Sequence, residues 1–392
     1  MVQVRVRRNG ARILAAASET VSALGWSGVT LAGVGKAAGL TIRPVRDRYP
    51  TRALLGADTW TEVAGPALDE ALRKALAFAG LLEQPADALE FAAAMEAMAR
   101  PSHQVQAAAE LVVVSCFEED IRKAIDDTLV RQMAAWVDPE AAGSPARAAR
   151  RGYLLALGLG LIATRHRPGL SALDLTAQWD RLLAALSTNM QPSPLPSEPR
   201  PPFLAYIPFD TGDDKTDDLL RAAIDHLGKY GYEASLLTSI AADAGLTEAT
   251  IYLRYPSKEA FFVDAINRHQ DITFPGQRAY LARLERAYGV GIAEAVVIRD
   301  TFHPAELPIA VIEMERMRLI WHRPHLAAAE EERLQTVVRE VLLEQPGNLD
   351  FADPARLHLA RAMGLGISFL PLISQTAWDL PYDVVTIPLN AT

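Results

Sequence analysis

The sequence predicts an all-α protein in which one unit occurs twice. Three observations carry this expectation. Apolar residues recur at helical spacing along nearly the whole chain, and strand-like patterning is confined to the Val2–Val6 alternation and the Asp383–Leu389 tail. Residues 13–55 align with 219–261 without a gap at an offset of 206, and 12 of 43 positions are identical. A proline-rich segment, Gln191-Pro-Ser-Pro-Leu-Pro-Ser-Glu-Pro-Arg-Pro-Pro202, separates the copies.

At 392 residues the chain exceeds the about 250–300 at which single cores stop growing, so two or more domains are expected. Half of it is hydrophobic and 22% charged, as in globular proteins rather than disordered ones. The single cysteine, Cys116, excludes an internal disulfide and is expected to be a small buried hydrophobe. The basic start followed by an apolar run imitates a targeting signal, but Ser18 and Glu19 interrupt it and an amphipathic helix continues. The longest apolar stretch, Tyr153 to Thr164, is about half of a membrane span, so a chain without membrane segments, at work in the cytoplasm, is expected.

The identical positions punctuate the repeat. They include Gly25/Gly231, Ala38/Ala244, Gly39/Gly245, Leu40/Leu246, Thr41/Thr247, Arg48/Arg254, Tyr49/Tyr255 and Pro50/Pro256. In the second copy, Leu219, Leu220, Ala223, Ile224 and Leu227 share one helical face, and Gly231 ends that helix. Leu236 to Ala244 forms a second short helix. The turn Gly245-Leu246-Thr247 then launches a third, with Thr247 as N-cap and Glu248 in its positive first turn. Ser257 caps the helix after that. Helix, glycine turn and helix form a unit whose last helix enters a DNA major groove.

The run Ile240-Ala241-Ala242-Asp243-Ala244-Gly245-Leu246-Thr247-Glu248-Ala249-Thr250-Ile251-Tyr252-Leu253-Arg254-Tyr255-Pro256-Ser257-Lys258 resembles the DNA-binding signature of the TetR family. The resemblance implies tandem TetR-like units, each a helix-turn-helix head followed by a helical ligand-binding and dimerising body, packed as a pseudo-dimer. It implies DNA contacts by Thr247, Thr250, Tyr252 and Lys258, with Ile251 and Tyr255 in the core. The expected divisions are a divergent first head (1–55), a first body (56–187), a linker (188–217), a second head (218–262) and a second body (263–392). Fully extended, that linker of about 30 residues reaches roughly 90 Å, enough to cross a domain.

The first copy departs from the signature. Its groove helix reads Ile42-Arg43-Pro44-Val45-Arg46-Asp47-Arg48, and Pro44 predicts a late start or a distortion near Arg43. The tyrosine position holds Arg46. Residues 1–52 carry nine cations against two acidic residues, although the whole chain is at −9. Thr41, Arg43, Arg46, Arg48 and Arg52 are therefore the first head's candidate DNA contacts. Residues 219–258 are neutral, and neither copy has a cation at the third position of its middle helix, where Ala32 and Thr238 stand.

The same offset brings Gly158-Leu159-Gly160 onto Gly364-Leu365-Gly366, in helices expected over 153–165 and 355–370, where small residues let backbones approach. For a small hydrophobic effector, the candidates are Trp60, Phe91, Met95, Met98 and Phe117 in the first body and Tyr280, Met314, Met317 and Trp321 in the second. No cofactor is expected, and the proline in His322-Arg323-Pro324-His325 argues against a metal pair. No nucleophile motif occurs, so an enzyme is not expected. The expected function is a ligand-responsive repressor reading an asymmetric stretch of double-stranded DNA. The alternative is a TetR-like module that binds small molecules or proteins and has lost its operator.

Overall fold

The structure, a computed structural model, describes residues 2–80, 87–198, 208–344, 352–374 and 376–391; linker residues 199–207 lie outside them. Among the described residues there are helices and turns but no strand. Helices α1 (Val2–Leu24), α2 (Leu31–Ala37) and α3 (Ile42–Arg48) form a first three-helix head around Ile13, Val21, Val34, Val45 and Tyr49. A second head repeats it with α13 (Asp214–Ala234), α14 (Leu237–Asp243) and α15 (Glu248–Tyr252). There the predicted face, Leu219, Leu220, Ala223, Ile224 and Leu227, is buried with Ile251. Four glycines at two duplicated positions adopt positive φ: Gly25 (71°), Gly39 (64°), Gly231 (71°) and Gly245 (68°). That backbone is open to glycine at little cost, which accounts for the turns in both heads.

Each head runs into its body without a break. The first passes through α4 (Arg52–Thr59) and a wide turn at Trp60–Ala64 into α5 (Gly65–Leu76). The second continues along the 31 residues of α16 (Lys258–Tyr288), so the expected divisions at 55 and 262 fall inside helical segments. The first body adds α6 (Ala88–Ala99), α7 (His103–Val114), α8 (Glu119–Ile125), α9 (Arg131–Val137), α10 (Pro139–Ala142), α11 (Pro145–Ala163) and α12 (Thr176–Ser187). The second adds α17 (Val290–Thr301), α18 (Leu307–Trp321), α19 (Pro324–Glu344), α20 (Pro354–Phe369) and α21 (Asp383–Asn390).

Four expectations are corrected. Val2–Val6 begins α1, and Asp383–Leu389 lies in α21, whose Val384, Val385 and Thr386 are buried. There packing overrides β-propensity, which is strongly context-dependent. The linker ends early, because Asp213 caps a helix that starts at Asp214 by accepting from Lys215 N–H at 3.3 Å. Helix α3 starts at Ile42 without distortion: Pro44 is its third residue, where the missing N–H has no intrahelical partner to lose. Only the second member of each glycine pair lies at the close backbone contact; a Cβ on Gly158 would instead meet the Met98 side chain, and Gly364 borders open space. At the contact of α11 with α20, a Cβ on Gly160 would overlap the Ala362 carbonyl oxygen, and one on Gly366 would overlap the Ala156 carbonyl oxygen. Those four residues are two pairs at the 206 offset, so the contact is reciprocal.

Around this seam the remaining links are polar. The Trp321 indole donates to Ala163 O at 2.8 Å and lies under the Arg165 guanidinium, 3.9 Å from the ring centroid. Arg167 pairs with Glu331 at 3.2 Å. The linker is held along the second body: Ser193 N–H donates to Asp383 at 2.8 Å and Arg299 donates to Pro196 O at 3.1 Å.

The seam predicts unequal effects for neighbouring glycines. Gly366→Ala forces two backbones apart and is expected to cost at least about 1–3 kcal/mol of stability in urea unfolding. Nothing stands within 4 Å of a Cβ on Gly364, so Gly364→Ala should be neutral, or stabilising by up to about 1 kcal/mol. Equal effects of the two would contradict the seam.

Candidate nucleic-acid interface

The two groove helices present different chemistry. Thr247, at the N-cap position of α15 but with no capping bond from its side chain, and Tyr252 are exposed, and Thr250 is half-buried, its hydroxyl 3.2 Å from that of Thr247. Tyr252 is 54% exposed and its hydroxyl has no hydrogen-bond partner among the described residues, as a phosphate contact requires. Ile251 is buried, whereas Tyr255 is half-buried and donates its hydroxyl to Asp264 at 2.8 Å. On α3, Thr41, Arg43, Arg46 and Arg48 are exposed. Arg43 lies 3.9 Å from Asp47 in a solvated pair that holds it only weakly. Arg48 donates to the Tyr49 hydroxyl at 3.0 Å. Arg46 has no ion-pair or hydrogen-bond partner among the described residues, so its guanidinium is available for guanine or phosphate.

Two expected contacts point elsewhere, and they are duplicates of one another. Arg52 and Lys258 stand 206 residues apart. The Arg52 guanidinium lies over the Trp26 ring at 4.5 Å, donates to Trp26 O at 3.2 Å and pairs with Glu118 at 3.3 Å. Lys258 lies over the Tyr232 ring at 4.7 Å and donates to Glu233 O at 3.3 Å. Burial lowers the Lys258 ammonium from its usual range. Each cation thus clamps the aromatic residue that follows a positive-φ glycine. Arg254 is also engaged, with Asp213 at 2.8 Å and Thr216 at 2.9 Å. As predicted, the Ser257 hydroxyl caps α16 by accepting from Ala260 N–H at 3.0 Å.

The same aromatics tie the heads to the bodies. Trp26 N–H donates to Glu110 on α7 at 2.8 Å, and Tyr232 N–H donates to Glu315 on α18 at 2.8 Å. Both carboxylates are buried. A Cβ on Gly25 would meet His322 and Glu110, and one on Gly231 would meet Phe117 and Glu315. Each latch therefore combines a carboxylate of its own unit with a side chain from the other. One arginine serves both: Arg318, 5% exposed, donates to Glu110 at 3.1 Å, to Glu233 at 3.1 Å and to Glu315. Three residues after Glu110, as Arg318 follows Glu315, stands the buried Val113. His322 adds a 3.2 Å contact to the second Glu110 oxygen.

Burial alone raises the Glu110 carboxyl, but Arg318, His322 and Trp26 N–H outweigh it and hold it at about 2. At Glu315 burial wins over Arg318, with Glu233 adding repulsion, and the carboxyl is raised. Sequence reasoning missed this cluster. Its signal was a set of charges inside apolar runs, Ala-Ala-Ala-Glu110-Leu-Val-Val-Val and Met314-Glu315-Arg316-Met317-Arg318-Leu319, since such charges are buried only when paired.

The effector candidates pack cores. Trp60, Phe91, Met95, Met98, Met314, Met317 and Trp321 are buried, and Trp60 donates to the Thr128 hydroxyl at 2.8 Å. Tyr280 is buried and donates to Asp300 at 2.7 Å. Phe117, half-buried, abuts Gly231. Cys116 is half-buried, and burial pushes its thiol up to about 12. Among the described residues no His, Cys, Asp and Glu group has a metal-holding arrangement, and no helix is long and apolar enough to cross a membrane.

The latch predicts a coupled loss. Arg318→Leu leaves two carboxylates buried without their partner and is expected to cost about 3–5 kcal/mol. Adding Glu110→Gln should recover part of this in urea unfolding; strictly additive costs would mean that the two side chains do not act together. Because the folded Glu110 carboxyl is depressed, its contribution is complete above about pH 4.5 and lost as pH falls towards 2. Glu110→Gln should flatten that part of the acid limb.

Residues 219–265 match the sequence model of bacterial regulatory proteins of the tetR family, a span that covers the second head and the start of α16. No curated protein matches the chain.

Proposed function

We infer that the chain is a transcriptional regulator rather than an enzyme: a ligand-responsive repressor, acting in the cytoplasm, whose two TetR-like units pair within one chain and read an asymmetric operator. The family match on the second head carries the reading, since it falls on a groove helix whose Tyr252 and Thr247 face solvent. The reciprocal contacts of Gly160 with Ala362 and of Gly366 with Ala156 support the pairing. They have the form of an isologous dimer interface, in which each of two equivalent residues meets the other's neighbour. Groove helices set about 34 Å apart would enter successive major grooves. Their chemistry differs, with Tyr252 and Thr250 on one and a free Arg46 on the other, so the two half-sites should differ too. The second head's turned-in Lys258 and Arg254 favour one competing reading, a paired module without operator recognition.

Selection from random DNA with the intact chain separates these. An asymmetric site is expected, with Tyr252→Ala relaxing one half and Arg46→Ala the other by about 1–3 kcal/mol each, and with affinity falling steeply with salt. A perfect palindrome would overturn unequal reading. Failure to enrich any sequence would favour the competing module.

A further inference from the structure

A cavity of about 300 Å³ lies where the two bodies meet, and none of the effector candidates named above lines it. Tyr153, Leu157, Gln178, Arg181 and Leu182 line it from the first unit, and residues of α16, α17, α20 and α21 line it from the second. Its size falls at the lower end of small-molecule sites. Its length follows α20, where Arg356, Leu359, Ala360, Met363, Gly364 and Ile367 face it. These lining residues span eleven residue steps, about 16 Å of helix. The space beside Gly364 is open, with nothing within 4 Å of a Cβ there.

Polarity changes along this length. At the Arg356 end the polar groups are linked: Arg181 donates to Gln178 at 3.1 Å and to Leu389 O at 3.0 Å. Gln178 donates to Asp353 at 3.2 Å, and Asp353 lies 3.9 Å from Arg356. The lining carries two guanidinium groups against one carboxylate, Glu294, which accepts from Asn390 at 2.8 Å. The Arg181 Nε is buried without a hydrogen-bond partner. Towards Ile367 the lining is aliphatic, with Leu157, Val297 and Met363.

We propose that this cavity binds a linear amphipathic monocarboxylate of medium chain length, with its carboxylate at Arg181 and Arg356 and its tail along α20 past Gly364. A carboxylate accepts from guanidinium groups in paired hydrogen bonds, while a flexible chain fits the aliphatic part of the lining. Because both units line the cavity, an occupant touches the two bodies at once and biases how they sit. The proposal deepens the ligand-responsive reading and rests on it for its effect on DNA, but occupancy is measurable without DNA.

The test is calorimetric titration of the intact chain with decanoate, below its micelle-forming concentration, and with decanol. One decanoate per chain is expected, with decanol at least tenfold weaker. Arg181→Met should weaken decanoate at least tenfold, and Gly364→Leu, which fills the open space, should abolish binding while thermal unfolding shows a folded chain. The second variant decides the case if the first fails to fold. No decanoate binding, equal binding of decanol, or undiminished binding to Gly364→Leu would overturn the site. Decanoate binding that leaves DNA affinity unchanged would keep the site and sink the ligand-responsive reading; DNA binding without decanoate binding would do the reverse.

Discussion

The close approach of α11 and α20 is the constraint on which the remaining arrangement depends. Helices normally pack 8–10 Å apart, a distance set by their side chains. Here Gly160 and Gly366 remove the side chains, and each meets the carbonyl of an alanine four residues before the other. An approach this close sets the separation of the two bodies at the crossing, because a Cβ at either glycine would run into a carbonyl. The neighbouring links, Trp321 to Ala163 O and Arg167 to Glu331, then form at defined distances.

The heads inherit that geometry through two equivalent latches. Glu110 and Glu315 hold the N–H groups of Trp26 and Tyr232, while Arg52 and Lys258 hold the rings. The symmetry stops at Arg318, which follows Glu315 by three residues where Val113 follows Glu110, and which compensates carboxylates from both units. Two chains of identical sequence cannot place arginine on one side and valine on the other. A single chain can, and Arg318 thereby links both heads through Glu110 and Glu315. The helices expected to enter the groove differ in the same way, with Tyr252 on one and Arg46 at the equivalent position of the other.

Periodicity and glycine positions made most of the fold legible in the sequence. The buried face of α13, the paired turns at Gly39 and Gly245 and the Ser257 cap follow from rules that act over a few residues. Long-range contacts decided the rest. Lys258 and Arg52 have the position and charge of phosphate contacts, but an aromatic ring more than twenty residues earlier draws each of them inward. The valine-rich ends of the chain carry strand propensity, yet Val384 and Val385 fill a helical slot. Pro44 suggested a distorted helix because its effect on Arg43 outranked, in the sequence, the fact that a third-position N–H is dispensable. A cavity lined from both units cannot be read from either half alone.

The central claim is that one chain supplies both reading heads of a single DNA complex. Sedimentation of the intact chain with a duplex just long enough for two adjacent major-groove contacts tests it most directly. One chain per duplex is predicted at saturation, with no further mass added at higher protein concentration. Two chains per duplex would mean that each contributes a single head, and would contradict pairing within the chain.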